Sequence, residues 1–360
     1  MKKIIALLLA LALLFACAGC GQTSSAGTGK PASDSREFTD DCGRTVTVPN
    51  EISKVAVSGP LAQIYCIPLC LDIFVGFSSD YTTQLEKYLG SEYKALPMLG
   101  HLYGGKGTMD LEALLSAGPD VVIDVGDQKG SIVEDLNALT EQSGIPFVHI
   151  DGSLEGAPET YRRLGELLGR QEKAEQLALW CEDVLRDIDG IMTKVDAKGG
   201  RANVVYCLGE KGLNVLANGS IHAKVLDKLT NNIAVLPDVV SSGNGNEIDF
   251  EQLMLWNPEV LVFAPESAYS AVKSDETWQM LDAVKNVKVC EAPSEPYGWM
   301  QTPPAVQQYL GMLWLTSLLY PEDCDYDLQE KVTEYYNLFY GYELSEVDYE
   351  KLTENACIAN

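Results

Sequence analysis

The chain opens with an unbroken apolar run, Ile4 to Ala16, behind Met1-Lys2-Lys3. That run is shorter than the roughly 20 residues a helix needs to cross a bilayer. A basic start before a short apolar core has the form of a secretory signal. The pattern then inverts: residues 21–36 (GQTSSAGTGKPASDSR) are almost free of apolar positions. They cannot build a core and are expected to act as a flexible tether.

From residue 38 apolar positions return in two alternating periods. Phe38 to Pro49 alternates polar and apolar residues around Gly43 and predicts a small hairpin. Lys54–Ser58 and Ile73–Phe77 are short buried strands, with an apolar helix to Leu71 between them. Met109–Leu115 is a short helix stopped by Gly118-Pro119-Asp120, and Val121–Asp124 is the next strand. Ile132 to Ser143 has helical spacing, and Pro146–Ile150 is a strand. Residues 157–194 hold no strand. Tyr161, Leu164, Leu167 and Leu168 make one helical stripe ended by Gly169. Ala174, Leu177, Cys181, Val184, Leu185, Ile188 and Ile191 make a longer one. After Lys198-Gly199-Gly200 the alternation restarts. It predicts strands at Ala202–Leu208, Val260–Ala264 and Val287–Cys290, and helices at Ala223–Leu229, Phe250–Leu255 and Met280–Val284. Pro304–Leu319 and Tyr326–Tyr340 are helical.

Two segments repeat one another. Met109-Asp110-Leu111-Glu112-Ala113-Leu114-Leu115, then Pro119-Asp120-Val121-Val122-Ile123, parallels Ile248-Asp249-Phe250-Glu251-Gln252-Leu253-Met254, then Pro258-Glu259-Val260-Leu261-Val262. The expected class is therefore α/β: two similar lobes with mainly parallel sheets, joined by one long rigid helix. The expected divisions are a signal over 1–19, a tether over 20–36, an N-terminal α/β lobe over 37–156 and connecting helices over 157–196. A C-terminal α/β lobe with a helical end takes 197–360.

Charge narrows the partners. Against 52 Asp and Glu stand 26 Lys and Arg, a net charge of −26. Such a surface cannot neutralise phosphates, which excludes a nucleic-acid binder, and it disfavours anionic lipid as a partner for the body of the protein. Cys42, Cys66, Cys70, Cys181, Cys207, Cys290, Cys324 and Cys357 mostly fall in apolar patterns and are expected as small core residues. Cys66 and Cys70 have helical spacing, but no second pair or nearby His completes a metal site. The chain has three histidines, His101, His149 and His222; His149 sits inside an apolar strand and reads as core.

Leu14-Phe15-Ala16-Cys17-Ala18-Gly19-Cys20-Gly21 resembles the lipobox of bacterial lipoproteins, in which the Cys carries the lipid. Cys20 is the expected anchor, with Cys17 the alternative. The body, over about residues 37–345, resembles the helical-backbone class of ABC-importer substrate-binding proteins that carry ferric siderophores, haem or cobalamin. "FTDDCGRTVTVP", the two repeated segments, "LDAVKNVKVCEAP" and "GMLWLTSLLYPE" carry the resemblance by their order and spacing. It implies an extracytoplasmic protein, lipid-anchored to the cell membrane, acting as a monomer and not as an enzyme. Such a protein captures an iron complex (ferric siderophore or haem) between its lobes and delivers it to a membrane permease. Cobalamin, another metal chelate, or ligand sensing without transport are the alternatives. It also implies that Glu112 and Glu251 dock on permease arginines; a helix-start acid favoured by the helix dipole is the other reading.

Ligands of parallel α/β folds bind beyond the carboxyl ends of the strands. Ser58, Tyr81, His101 and Tyr103 are thus candidate ligand contacts in the first lobe, and Asn218, Tyr297, Trp299 and Met300 in the second. Tyr297 and Trp299, in a Pro/Gly-framed loop, are candidates to stack on a macrocycle or catecholate ring, with His101 and Tyr103 opposite. His101, Tyr103 or His222 would suit a haem iron. A bare-metal site would need more His and carboxylates than are present. No cofactor is expected beyond the ligand, itself an iron chelate or tetrapyrrole. The cleft loops are poor in cations, with Lys106 and Lys211 nearby. No Gly-x-Ser-x-Gly elbow, phosphate loop or His-Glu-x-x-His motif occurs. Asp124 and Asp127 have the spacing of an acid–base pair, but strand-end carboxylates serve more often as caps and solvated rims.

Overall fold

The computed structural model describes residues 34–102, 109–240 and 242–357. The signal run, Cys17, Cys20, residues 21–33 and Tyr103 lie outside them. Strands β1 (Ser35–Thr39) and β2 (Thr45–Pro49) form the expected hairpin, with Gly43 at φ 76° in its turn. β1 begins inside the stretch expected to be tether, because Arg36 is held by the Leu167 carbonyl at 2.6 Å.

The first sheet is parallel, in the order β3 (Val55–Val57), β4 (Val121–Gly126) and β5 (Phe147–Asp151). β4 is buried along its whole length, as a central strand covered on both faces must be. Helix Pro60–Cys70 starts with Pro at its first turn, where a missing N–H costs nothing. Ile73–Phe77 departs from expectation. A 3₁₀ turn, Leu71–Ile73, is followed by single bridges, Val55 with Phe74 and Phe77 with Met98. The segment meets β3 at Phe74 alone, too short a pairing for a strand.

Helix Ala157–Leu168 ends at Gly169 in the left-handed conformation, and the 27-residue helix Gln171–Ala197 follows. Its buried stripe contains Ala174, Leu177, Cys181, Val184, Ile188 and Ile191, while Leu185 is only partly covered. The two helices touch backbone to backbone at Gly165, where an added Cβ would lie 2.4 Å from the Ala174 Cβ.

The second sheet runs β11 (Val289–Glu291), β10 (Val260–Phe263), β6 (Asn203–Leu208), β7 (Asn214–Val215), β9 (Asn246–Glu247), with β8 (Asn231–Asn232) also on β6. β8, β6, β10 and β11 are parallel; β7 and β9 are short antiparallel additions. The fold is thus two α/β lobes about one long helix. Helix Gln308–Leu319 starts later than its pattern predicts, and helix Leu328–Tyr335 widens into a π turn over Tyr336–Tyr340. That terminal segment reaches back to the first lobe: Tyr336 and Tyr342 pack edge-on against Tyr88, and Phe339 against Tyr161. Among the described residues no helix is long and apolar enough to cross a membrane.

Two glycine substitutions separate packing from propensity. Gly165→Val should destabilise by about 2–3 kcal/mol, because Ala174 and the Gln171 backbone leave no room. Gly190→Ala, on the open face of the long helix, should stabilise by about 0.5–1 kcal/mol. Urea unfolding of the two variants should show shifts of opposite sign.

Candidate functional site

The repeated segments fold into the same unit in each lobe. Helix Leu111–Ala117 is capped by Asp110, whose carboxylate accepts the Ala113 N–H at 2.9 Å. Helix Phe250–Trp256 is capped by Asp249, which accepts the Gln252 N–H at 2.7 Å. Each ends at a left-handed residue, Gly118 or Asn257, and leads into a strand, β4 or β10. Asp120 and Glu259 then donate their N–H to Lys54 and Asn203, next to the neighbouring strand. Equivalent positions share one environment. Leu114 and Leu253 are fully buried, whereas Glu112 and Glu251 are exposed in the first turn. One residue beyond each buried leucine, Leu115 and Met254 are exposed, and Leu255 is 79% exposed. Each lobe therefore presents one carboxylate beside apolar side chains on a rigidly capped helix.

At the carboxyl end of the first sheet, Ser58 is buried and its hydroxyl donates to Asp124. The other Asp124 oxygen meets His149 Nδ1 at 2.6 Å, and His149 Nε2 lies 3.3 Å from Asp151. His149 is fully buried, as its apolar strand implied. Burial alone pulls its pKa down, but the Asp124 hydrogen bond and charge, helped by Asp151, raise it overall above the ordinary 6.5. The carboxylate stands between hydroxyl and imidazole, so His149 cannot take the Ser58 proton directly. Asp127 does not join Asp124; it meets Lys224 of the second lobe at 3.6 Å.

The two lobes also meet at Tyr297, whose hydroxyl accepts from Gln63 Nε2 at 3.0 Å, while Gln63 Oε1 accepts both the N–H and the hydroxyl of Ser78. Tyr81 rests on Phe77 at 4.8 Å and donates to the Gly90 carbonyl. His101 is partly exposed, against Gly59. Asn218 is exposed, with its amide on Asn232 O at 3.4 Å. His222 Nδ1 faces the Gln301 carbonyl at 3.1 Å, and its ring borders Gly243. Gln301 Oε1 and Gln307 Oε1, in the same stretch, are buried and have no hydrogen-bond partner among the described residues.

Trp299 and Met300, expected to face a ligand, are instead buried. Helix Gln308–Leu319 receives their loop at Gly311, where a Cβ would lie 2.3 Å from the Trp299 carbonyl, and Gln308 Nε2 donates to Met300 O. The indole is thus core, and the partly exposed aromatic of this loop is Tyr297. Gln63, Lys224, Gln301 and Gln307 were not foreseen, since only the juxtaposition of segments far apart in the chain marks them. A cavity of about 710 Å³ lies elsewhere, between helix Pro60–Cys70, the start of the long helix and Asn337–Gly341. Its Arg170 is engaged by Asp72 and its Lys173 by the Leu338 carbonyl.

Asp124→Ala should cost about 3 kcal/mol by leaving His149 buried without its partner. Because the folded pKa of His149 is raised, its contribution is complete below about pH 6.5 and is lost as pH rises through the folded value. Urea midpoints at about pH 6 and pH 8 should differ through this pair in the parent protein. That component should vanish in His149→Gln; an unchanged pH slope would refute the assignment.

The family model described as "Periplasmic binding protein" matches residues 91–296. An ABC transporter solute-binding protein from Sulfurospirillum deleyianum is 28% identical, covers 89% of this chain and 99% of its own, and superposes with a TM-score of 0.80. The molybdate-binding protein MolA of Haemophilus influenzae, solved with molybdate, is 21% identical over 86% of this chain and 99% of its own, with a TM-score of 0.66. A periplasmic haem-binding protein from Pseudomonas aeruginosa is 17% identical over 75% and 93%, with a TM-score of 0.54. No curated protein sequence matches. The chain therefore belongs to the periplasmic binding protein family and serves, outside the cytoplasm, as the solute-binding protein of an ABC transporter.

Proposed function

We propose that this protein captures an iron complex, a ferric siderophore or haem, between its lobes and hands it to a membrane permease. The delivery step rests on one observation, the duplicated capped helix with an exposed glutamate at the same place in each lobe. Glu112 and Glu251 meet permease arginines, and Leu115 and Met254 beside them bury against apolar residues of the same loops. Paired charges of this kind orient the encounter, and the apolar neighbours then hold it. A sensor without a transport role has no use for such a pair. Cys20 carries the lipid that keeps the protein at the membrane, and the signal ends before it. The lobes extend over about 37–156 and 197–360, with 157–196 as connector.

The ligand reading rests on imidazole and phenol groups from both lobes near the strand ends: His101, His222 and Tyr297. Such groups suit an iron centre or an aromatic chelator, and the haem-binding neighbour supports them. Ser58, Tyr81 and Asn218 are the further polar candidates on the strand-end loops of the two lobes. A compact oxyanion is the second reading. It is supported by Lys224, which the Asp127 contact across the lobes brings to the strand-end loops as a cation, and by the molybdate-bound neighbour. Cobalamin or another metal chelate would use the same loops.

A melting-shift panel of ferric siderophores, haem, cobalamin and molybdate should show stabilisation by one class through mass action. A shift with molybdate alone would replace the iron reading by the oxyanion one, and no shift with any would remove both. Glu112→Arg and Glu251→Arg should each lower uptake in cells at least about tenfold while leaving ligand Kd unchanged. A parallel loss of ligand affinity would show that these residues are not docking groups.

A further inference from the structure

Of the eight described cysteines, two stand apart. Cys66 and Cys70 share one buried helical face, and Cys181 and Cys207 are sealed in the core. Cys324 is half-buried and donates to the Tyr320 carbonyl, and Cys42 is pushed up to about 11, mainly by burial. None of these pairs an open thiol with a second sulfur. Cys357 does. It is exposed, and its Sγ lies beside β11, 2.9 Å from the carbonyl oxygen of Val289, the residue preceding the buried Cys290.

Three consecutive tail residues enforce this contact. The Glu291 N–H donates to Asn355 O at 2.9 Å, and Asn355 Nδ2 returns to the Glu291 carboxylate at 2.9 Å. Trp314 Nε1 donates to Ala356 O at 3.1 Å, and Cys357 Sγ lies 2.9 Å from Val289 O. The pinned backbone on both sides therefore holds Cys357 beside Cys290, independently of a chance rotamer.

We propose that Cys290 and Cys357 are a thiol–disulfide exchange site, and that outside the cytoplasm they close an intramolecular disulfide fastening the terminal segment to β11. The oxidant is a disulfide, either a small-molecule disulfide or that of a thiol oxidoreductase. The Cys357 thiolate attacks one sulfur of the oxidant, its S–S bond breaks, and one thiolate leaves. Cys290 then attacks Cys357 Sγ, the mixed disulfide breaks, and the second thiol leaves. The two protons of the protein thiols end on the two thiols released, and two electrons pass from protein to oxidant. The environment suits the first step, in which Cys357 is the nucleophile: the neighbouring Cys290 thiol, aided by Lys273, brings Cys357 down to about 7, so much of it is thiolate at neutral pH, whereas Cys290 is held well up and gives its proton to the departing thiolate as it attacks. The resolving sulfur is already in place and needs no exposure to solvent. The bond would close a loop of about 70 residues. It would also brace the strand that runs directly into the Ala292–Met300 loop carrying Tyr297.

The test uses the full chain, purified reduced, treated with oxidised glutathione, alkylated and mapped by peptide mass spectrometry. The expected product is a cross-linked Cys290–Cys357 peptide pair with loss of two hydrogens, reversed by dithiothreitol. The melting temperature should rise by about 5 °C on oxidation of the parent protein. It should not rise for Cys357→Ser, and Cys290→Ser should keep glutathione on Cys357. Stable glutathione on Cys357 of the parent protein, Cys357 linked to another cysteine, or both thiols left alkylatable would each overturn the proposal.

Discussion

Everything in this molecule is hung on one buried helical stripe. Helix Gln171–Ala197 is about 40 Å long at 1.5 Å per residue, and helices in folded proteins owe more of their stability to packing than to propensity. Its order comes from Ala174, Leu177, Cys181, Val184 and Ile188, which must be covered by other elements. The first lobe supplies helix Ala157–Leu168, pressed close at Gly165. The second supplies Tyr309, Tyr335 and Phe339 around Trp180, with ring centroids 5.3–6.2 Å apart. Since both lobes bury the same rod, neither can swing far without exposing it. The rod therefore fixes the separation of the two carboxylates as well as the approach of the two sheets.

A duplicated unit on a stiff rod gives two equivalent surface patches at a set spacing, and under the proposed function a symmetric pair of permease loops would meet both together. Its local logic is simple. A short helix needs an aspartate cap to satisfy its first N–H groups, a left-handed residue to leave it, and one buried leucine to seat it. The remaining outward positions are then free for recognition, and there Glu112 and Glu251 stand beside Leu115 and Met254. With a net charge of −26, most of the surface repels acidic neighbours, so orientation must come from where basic groups are found on the partner.

How much of this could be read in the chain follows from how local each determinant is. The capped helices, Gly169 as a stop and the apolar strands β4 and β5 depend on residues within a few positions, and their patterns were legible. The burial of His149 also was, from its apolar strand. Ile73–Phe77 looked like a strand, but a strand needs a partner over several residues, and only single bridges form. Trp299 looked free because Pro and Gly frame it; the space that buries it is made by Gly311 on a later helix. Gln63 under Tyr297, Lys224 opposite Asp127, and Cys357 beside Cys290 are all meetings of distant segments, and neither composition nor spacing encodes them.

The contacts between lobes decide how the gap behaves. The Asp127–Lys224 pair is open to solvent, and such pairs contribute about 0–1 kcal/mol. The Gln63–Tyr297 hydrogen bond adds about 1 kcal/mol. Together they are small enough for a ligand of even micromolar affinity, about 8 kcal/mol, to displace them. The contacts that would resist large motion gather around Tyr88. Tyr88 donates to Glu295 at 2.7 Å, Lys87 bridges Glu295 and Asp348, and Tyr336 packs on Tyr88. These join the first lobe to the terminal segment around an aromatic cluster whose burial outweighs the two polar links across the gap. The weak contacts are thus those at Asp127–Lys224 and Gln63–Tyr297 and the strong ones those around Tyr88; under the proposed function, ligand entering at the former would adjust them while the two glutamates keep their spacing.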